Sequence, residues 1–572
     1  MKKITSLALI LICFSLQTKG QSAAWGWAAK GAAKGNYNYS SAQSIALDTS
    51  NGSVSICGYF TDSLQFGSYL LKAPSSYNNG YLTKLSASKA ISWSLLIGSR
   101  SYLYCNKVAP GNNGSNYVFG LCLDTVKIGS LKSKATLGGS DFFLAKINSS
   151  GSPVWIKTGG GGNDDGIFDM KSDNLFNPVA LVTYNGSITI GSFTFNNPIN
   201  FNRNAVLVKY RSSGTIAWAN NIILPTDIGN MYDSRLAIDG SNNIYIYGTY
   251  TDAIQFGSTT LNAPPGNTMG YLVKFNNNGI VQWAVNTGTM NIASIWSLDA
   301  DNSGNVYGTG TFKSTSNFSA ISLTSNSGEY DAFVVKFNNV GTAQWAKKIG
   351  STAADDIATG ISVNKSTGDV YATGSIGTSA TFGVITLTDT KGGFDNSFVV
   401  KYNTTGTEQW AKLIDGTGYT VSYGIVADPI RNAIYNAGFY NANVFFDAIR
   451  LTGGGTTNTS PYVGKLIETL GPRAGYIPEL SFTKEQPKGL SIFPNPAKSA
   501  FSILLPLKNI INNQAQIVVL NADGKIILTK KKTILNNFLY DNIQIDNQLS
   551  PGTYFVQVMV DGRMTTQKMI IE

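Results

Sequence analysis

A chain of 572 residues without a single histidine lacks the side chain on which most acid–base and nucleophilic catalysis near neutral pH depends. Ser-His-Asp and Cys-His catalysis, histidine metal sites and a neutral-range proton switch all need the imidazole. Carboxylates remain. Asp164-Asp165 and Asp355-Asp356 follow Trp155 and Trp345 by nine to eleven residues, and a polysaccharide-degrading enzyme needs only two carboxyls at suitable separation. Aspartate also caps turns, and the repeated position of the pairs favours that structural role. Asp299-Ala-Asp-Asn-Ser-Gly304 opens like a calcium loop, yet Gly310 stands at the twelfth position, where a bidentate glutamate belongs. The glycines from Gly159 to Gly162 have no lysine-serine pair behind them, so they do not form a phosphate loop. No catalytic residue, metal or cofactor is expected.

Aromatic residues near the starts of strand-like segments are the ligand candidates: Tyr39, Tyr104, Tyr232, Trp296 and Tyr423. A platform of rings would suit sugar stacking or a protein contact. Their register differs by a few residues from segment to segment, which also fits packing.

These residues sit on an internal repeat. A lysine precedes a tryptophan by nine residues six times, from Lys84 and Trp93 to Lys401 and Trp410, and successive tryptophans lie 62, 63, 65, 62 and 65 residues apart. A period that long, with strand-like segments inside it, points to a radial or stacked array. The sixth repeat shows the pattern: Gly360-Ile-Ser-Val, Val370-Tyr-Ala-Thr-Gly374, Phe398-Val-Val-Lys-Tyr402 and Gln409-Trp-Ala-Lys-Leu413, with turn residues between. Gly58, Gly120, Gly248, Gly310, Gly374 and Gly438 each precede an apolar residue by eight; the third repeat has Val182 instead. Four strands per repeat is the content of a propeller blade.

A seventh lysine, Lys465, has Ala474 where its tryptophan should be. Trp25-Gly-Trp-Ala-Ala-Lys30 matches the missing strand, and Trp27 lies 66 residues before Trp93. The expectation is an all-β, seven-bladed β-propeller in which the N-terminal strand closes the last blade. The tryptophan would be the packing anchor between blades. The lysines would cover half-buried strands with their stems, or line one face and attract an anion.

The formal charge of +10 does not imply a nucleic-acid partner, because residues 1–20 carry three of the cations and residues 488–572 a net +4. The rest is too thin a field for phosphate-backbone binding. Lys530, Lys531 and Lys532 form the dense run, read as a solvated strand end or turn. Residues 1–20 read as a secretory signal, with Lys2 and Lys3 before an apolar run, so the mature chain would begin at Gln21. Cys13 follows Ile12, which argues against lipid attachment. No later stretch has the roughly 18 apolar residues of a membrane helix. Cys57, Cys105 and Cys122 remain after cleavage; Cys105 and Cys122 flank a turn and could bridge, but a buried free thiol is the ordinary role.

After Leu466 the repeat stops. Residues 467–487 read as a linker, and 488–572 as a small β-sandwich following the body at 21–466. Leu490-Ser-Ile-Phe-Pro-Asn-Pro-Ala497, Val518-Val-Leu-Asn-Ala-Asp-Gly-Lys525, Leu549-Ser-Pro-Gly-Thr-Tyr-Phe-Val556 and Gln567-Lys-Met-Ile-Ile-Glu572 occur there in order. Together they closely resemble the type A sorting domain of the type IX secretion system. The resemblance rests on Phe493, Pro494, Asn495, Pro496, Asp523, Gly524, Gly552, Tyr554 and Lys568. It implies passage through the periplasm, recognition of residues 488–572 by outer-membrane secretion machinery, and usually their removal with release or surface anchoring. More loosely, Gly304-Asn-Val-Tyr-Gly-Thr-Gly310 resembles a motif of bacterial β-propeller repeat proteins. The expected function is an exported, non-catalytic binding or adhesion module for a glycan or protein. A carboxylate-dependent polysaccharide-degrading enzyme and a structural surface protein are the alternatives.

Overall fold

The computed structural model describes residues 22–34, 38–135, 138–197, 203–222, 231–290, 293–326, 328–351, 354–453, 455, 457–469, 490–493, 500–506, 514–534, 538–544, 550–561 and 563–571. The expected signal at 1–20, the Gln21 start and most of the linker lie outside them. Among the described residues the elements are β-strands, with one 3-10 turn at Asn112–Gly114. Two bodies result, divided between Gly471 and Pro472.

The first body consists of four-strand antiparallel units in chain order. Unit 6 has Ile357–Val363, Val370–Ile376, Asn396–Tyr402 and Glu408–Gly416, paired in that order. Units 1 to 5 span 40–98, 103–159, 166–222, 231–289 and 294–350 in the same way. Unit 7 takes three strands from 420–469 and its fourth, Ser22–Lys30, from the N-terminus. The nine-residue spacing follows from the last hairpin: Lys401 stands opposite Trp410, and Lys84 opposite Trp93. Trp27 stands opposite Lys465 in the same way, so the seventh lysine also has its tryptophan.

Between its second and third strands each unit carries an outer hairpin that the four-strand reading missed. In unit 6 it is Ser379–Phe382 with Ile385–Thr388. The tight turn needs a left-handed residue, and Gly383, directly after Phe382 in the sequence, has φ +59°. Ser319 and Asp447 take that conformation at φ +53° and +51° without glycine. The hairpin covers the last-strand edge of the preceding unit, Phe382 pairing with Ile349 and Phe445 with Asp415. An edge strand left bare would be a template for aggregation. The N-terminal segment completes the pattern, since Ala32–Lys34 pairs with the outer hairpin of unit 1.

Each first strand lies beside the first strands of the units before and after it, and Thr420–Asp428 of unit 7 lies against Ser40–Asp48 of unit 1. The core is accordingly shared between neighbours. One apolar cluster joins Ile45, Leu47, Val54 and Ile56 to Ala433, Tyr435, Ala437 and Val463.

The second body has two antiparallel sheets with one apolar core. Phe501, Ile503 and Leu505 come from the three-stranded sheet, and Ile517, Val519, Val556 and Val558 from the four-stranded one. Lys530, Lys531 and Lys532 lie at the C-terminal end of the strand Ile526–Thr533, with Lys530 and Lys531 exposed. Lys530 and Lys532 hold the buried Asp541 carboxylate at 2.8 and 2.9 Å.

Candidate functional site

The repeated residues form the frame. The tryptophan of one unit donates its indole N–H to the last-hairpin turn of the next: Trp93 to Ser149 O at 2.9 Å, Trp155 to Ser212 O at 3.3 Å, Trp218 to Asn277 O at 3.2 Å and Trp345 to Thr404 O at 3.1 Å. Trp27 donates to Ala87 O of unit 1 at 3.2 Å. The lysines also point into these joints. Lys84 donates to Gly114 O at 2.9 Å, and Lys336 to Thr404 O at 3.2 Å. Lys401 is sealed between Asp369 at 3.1 Å and Glu468 at 2.8 Å. An anion-attracting ring of these lysines is therefore not what the fold builds.

The repeated glycine has a separate cause. The first strand of every unit carries a β-bulge, at Gln43, Asn106, Phe168, Asp233-Ser234, Trp296, Thr359 and Tyr423. A bulge turns the carbonyl beside it towards the second strand. A Cβ built on Gly374 would lie 1.8 Å from Ile357 O, and on Gly120 1.9 Å from Tyr104 O. Glycine leaves room for that carbonyl.

The bulge shows which predicted aromatics are equivalent. Trp296 and Tyr423 are bulge residues, whereas Tyr104 precedes its bulge by two positions and Tyr39 by four. Tyr232 pairs with Thr249 through its backbone, just before the unit 4 bulge. The five are therefore not one ring. Tyr104 nevertheless packs on Tyr59 with ring centroids 5.1 Å apart, and Tyr423 lies 6.0 Å from Phe439. Burial raises the Tyr59 hydroxyl pKa, with Tyr104 adding to it; burial and the nearby Tyr59 push Tyr423 up to about 12. Tyr77 and Tyr102, which the sequence reading missed, continue the cluster, Tyr77 lying 4.6 Å from Tyr102 and Tyr102 6.4 Å from Tyr104. For Tyr102 the signal was its register from the bulge, which no sequence spacing displays, whereas Tyr77 stands seven residues before Lys84.

A charged strip crosses the first strands of units 2 to 4. Lys107 Nζ lies 3.2 Å from Asp169, whose other oxygen accepts the Leu236 N–H at 3.1 Å; Arg235 donates to Trp296 O at 2.8 Å. Burial alone would raise the Asp169 pKa, but Lys107, Lys171 and Arg235 together hold it below its usual value.

The carboxylate pairs are built into unit joints. Asp164 accepts the Ser140 N–H at 2.7 Å and Asp355 the Tyr330 N–H at 3.0 Å. Asp165 and Asp356 are buried beside Asp141 and Asp331, and burial pushes both up to about 7, the neighbouring carboxylates adding to it. Asp301, in the calcium-like segment, accepts from Ser303, Asn305 and Tyr307. That carboxylate caps a turn. Cys57, Cys105 and Cys122 are buried thiols without a disulfide, and register places Cys105 opposite Gly120 rather than Cys122.

In the C-terminal body, residues 491–572 match the family described as secretion system C-terminal sorting domain. This segment is a sorting domain. The protein is exported by the type IX route and ends at the cell surface or in the medium. Among the described residues no helix is long and apolar enough to cross a membrane.

In the sorting domain, Asn521 Oδ1 accepts the N–H groups of Asp523 and Lys525 at 3.1 and 2.9 Å, and Gly524 takes φ +78°. This exposes the Asp523-Gly524 turn. Gly552 and Lys568 are exposed, while the buried Tyr554 donates to Ser550 O at 2.8 Å. Phe493 pairs through its backbone with Ser502; Pro494, Asn495 and Pro496 lie outside the described residues.

Part of the chain is 28% identical over 165 residues to an uncharacterized WD repeat-containing protein of Acanthamoeba polyphaga mimivirus, 25% of this chain and 12% of that one. The chain thus spans about an eighth of that relative's length. Among solved structures it is similar to a protein of unknown function from Dyadobacter fermentans at 8% identity, covering 78% of this chain and 99% of that one, TM-score 0.38. Hydrazine synthase of Kuenenia stuttgartiensis is similar at 8% identity, covering 72% and 96%, TM-score 0.38.

Proposed function

We propose that the units close into one seven-bladed β-propeller, that the C-terminal body is a β-sandwich engaged by the outer-membrane secretion machinery, and that the propeller acts outside the cell as a non-catalytic binding or adhesion module for a glycan or protein. Closure is supported by the Trp27 bond to Ala87 and by the packing of unit 7 on unit 1. The observation that carries the binding reading is the contrast between frame and face. Lysine and tryptophan recur at the joints and glycine beside the bulge carbonyl, while the bulge residue is Gln43, Asn106, Phe168, Asp233, Trp296, Thr359 or Tyr423. The repeat leaves the side chain at that position free to differ, which is where a shared fold can carry a site of its own.

The carboxylate alternative is disfavoured because Asp164 and Asp355 already accept backbone N–H groups. The test is a glycan array probed with the full secreted protein, alongside reducing-end assays on the same polysaccharides. Retention without new reducing ends is expected. Depolymerisation lost in both Asp164→Asn and Asp355→Asn would overturn the reading.

A further inference from the structure

Two unit joints differ from the rest in a concerted way. At the joint of units 1 and 2, Tyr77 packs on Tyr102; at the joint of units 6 and 7, Phe394 stacks on Tyr419 with centroids 5.1 Å apart and planes 25° from parallel. The positions correspond. Tyr77 and Phe394 lie seven residues before Lys84 and Lys401, and Tyr102 and Tyr419 lie four before the bulges at Asn106 and Tyr423. Tyr39 holds the same place in unit 1. All five rings are open to solvent: Phe394 64%, Tyr39 57%, Tyr419 45%, Tyr77 43% and Tyr102 41% exposed.

Packing does not explain them, because other units fill the same places differently. Asp164 and Asp355 stand four before the bulges of units 3 and 6, and the adjacent Asp165 and Asp356 lie beside Asp141 and Asp331 at the starts of the preceding third strands. At the aromatic joints those third strands begin with Asn79 and Asn396, which accept the Ser99 and Gly416 N–H groups at 2.7 and 2.8 Å. Thr61 and Asn441 accept the backbone N–H groups of Tyr39 and Tyr419 at 3.1 and 2.9 Å. Where the fold displays rings, these supporting residues are uncharged.

We propose that Phe394, Tyr419, Tyr39, Tyr77 and Tyr102 form an aromatic arc over units 6, 7, 1 and 2 that binds a neutral polysaccharide by stacking sugar rings on their exposed faces. This assignment rests on the binding-module reading and gives it a ligand class and a place. Unit 7 abuts unit 1 at Tyr39, where Asn458 and Thr459 bond the backbones of Asn38 and Ser40, so the arc continues across that joint. A pyranose presents an apolar C–H face and a rim of hydroxyls, which a tyrosine matches with its ring and its O–H. None of the five arc residues is the arginine or methionine that a protein partner would be expected to meet among the rings. The exposed cations nearest in sequence, Arg100 and Lys391, lie two and three residues before Tyr102 and Phe394, and the polyanion arm of the test reads them.

The test is affinity electrophoresis of the full secreted protein through gels containing mixed-linkage β-glucan, xylan, mannan or, as the polyanion, alginate. Variants are Tyr102→Ala with Tyr419→Ala, and Phe193→Ala as an exposed aromatic outside the arc, with near-UV circular dichroism reporting the fold. The expected result is retardation in at least one neutral gel, roughly tenfold or more weaker in the double variant and unchanged in Phe193→Ala. If the double variant loses its fold signature, Tyr102→Phe with Tyr419→Phe replaces it, and retention of binding is then expected. Retardation unaffected by the double alanine change overturns the arc but leaves the binding module standing. Retardation by alginate alone, or none in any neutral gel, overturns the neutral-polysaccharide assignment. The module itself falls only if the glycan array is also blank and the arc variants leave every measured surface-adhesion property unchanged.

Discussion

Trp27, on the strand Ser22–Lys30, donates its indole N–H to the Ala87 carbonyl of unit 1 at 3.2 Å, although its own strand pairs with Ser460–Thr469 nearly 440 residues later. This joint repeats the one made by Trp93 on Ser149. Equal joints should be equally costly to break. Trp27→Ala and Trp93→Ala are each expected to lower stability by about 3–5 kcal/mol, read from denaturant midpoints at constant slope. A Trp27→Ala loss under about 1 kcal/mol would show that the terminal strand is dispensable.

At the joint of units 6 and 7 the acceptor is a side chain. Trp410 Nε1 lies 3.0 Å from Glu468 Oε1, which also receives Lys401, while Tyr371 donates to the other oxygen at 2.7 Å. Removing the carboxylate would leave the buried Lys401 ammonium with Asp369 alone. Glu468→Ala is expected to cost about 3–5 kcal/mol. Its sum with Trp410→Ala should exceed the double variant by more than about 0.5 kcal/mol, because the residues share one network.

Bulge geometry gives a sharper contrast. Gly374→Ala forces a Cβ against Ile357 O and is expected to cost about 1–3 kcal/mol through a shifted strand. Unit 3 already holds Val182 there, so Val182→Ala should behave as ordinary core truncation. Thermal melting of both variants checks this, and a neutral Gly374→Ala would mean the bulge relaxes freely.

The buried acids set a pH dependence opposite to acid denaturation. Asp356 keeps its proton in the folded state up to about pH 7, whereas an unfolded aspartate loses it near pH 4. The folded state therefore binds more protons across that window. The contribution of Asp356 is fully present below about pH 4 and is lost as pH rises to 7. Asp165 acts in the same direction. Asp356→Asn should flatten the decline of melting temperature between pH 5 and 8, with a gain on the order of 1–2 kcal/mol at pH 8 after allowance for solvent screening. An unchanged slope would remove Asp356 as its source.

What was legible in the sequence was whatever lies within one hairpin or one short motif. Lys401 and Trp410 are cross-strand neighbours, so a nine-residue spacing records their contact directly. The Phe382-Gly383 pair likewise records a two-residue turn, although its hairpin went unassigned because four residues per strand are too few to show alternation. The sorting domain was readable for the same reason, its motifs being local. The ligand candidates were harder: Tyr39, Tyr104, Tyr232, Trp296 and Tyr423 share a neighbourhood in sequence but not a place on the strand, because they stand at the bulge or up to four residues before it, and composition does not mark the bulge. Tyr77 meets Tyr102, and Phe394 meets Tyr419, across units about 25 residues apart in the chain. Local pairing determined the repeat and its frame. Only the packing of one sheet against the next decided which rings were left in the open and which carboxylates were closed off from water.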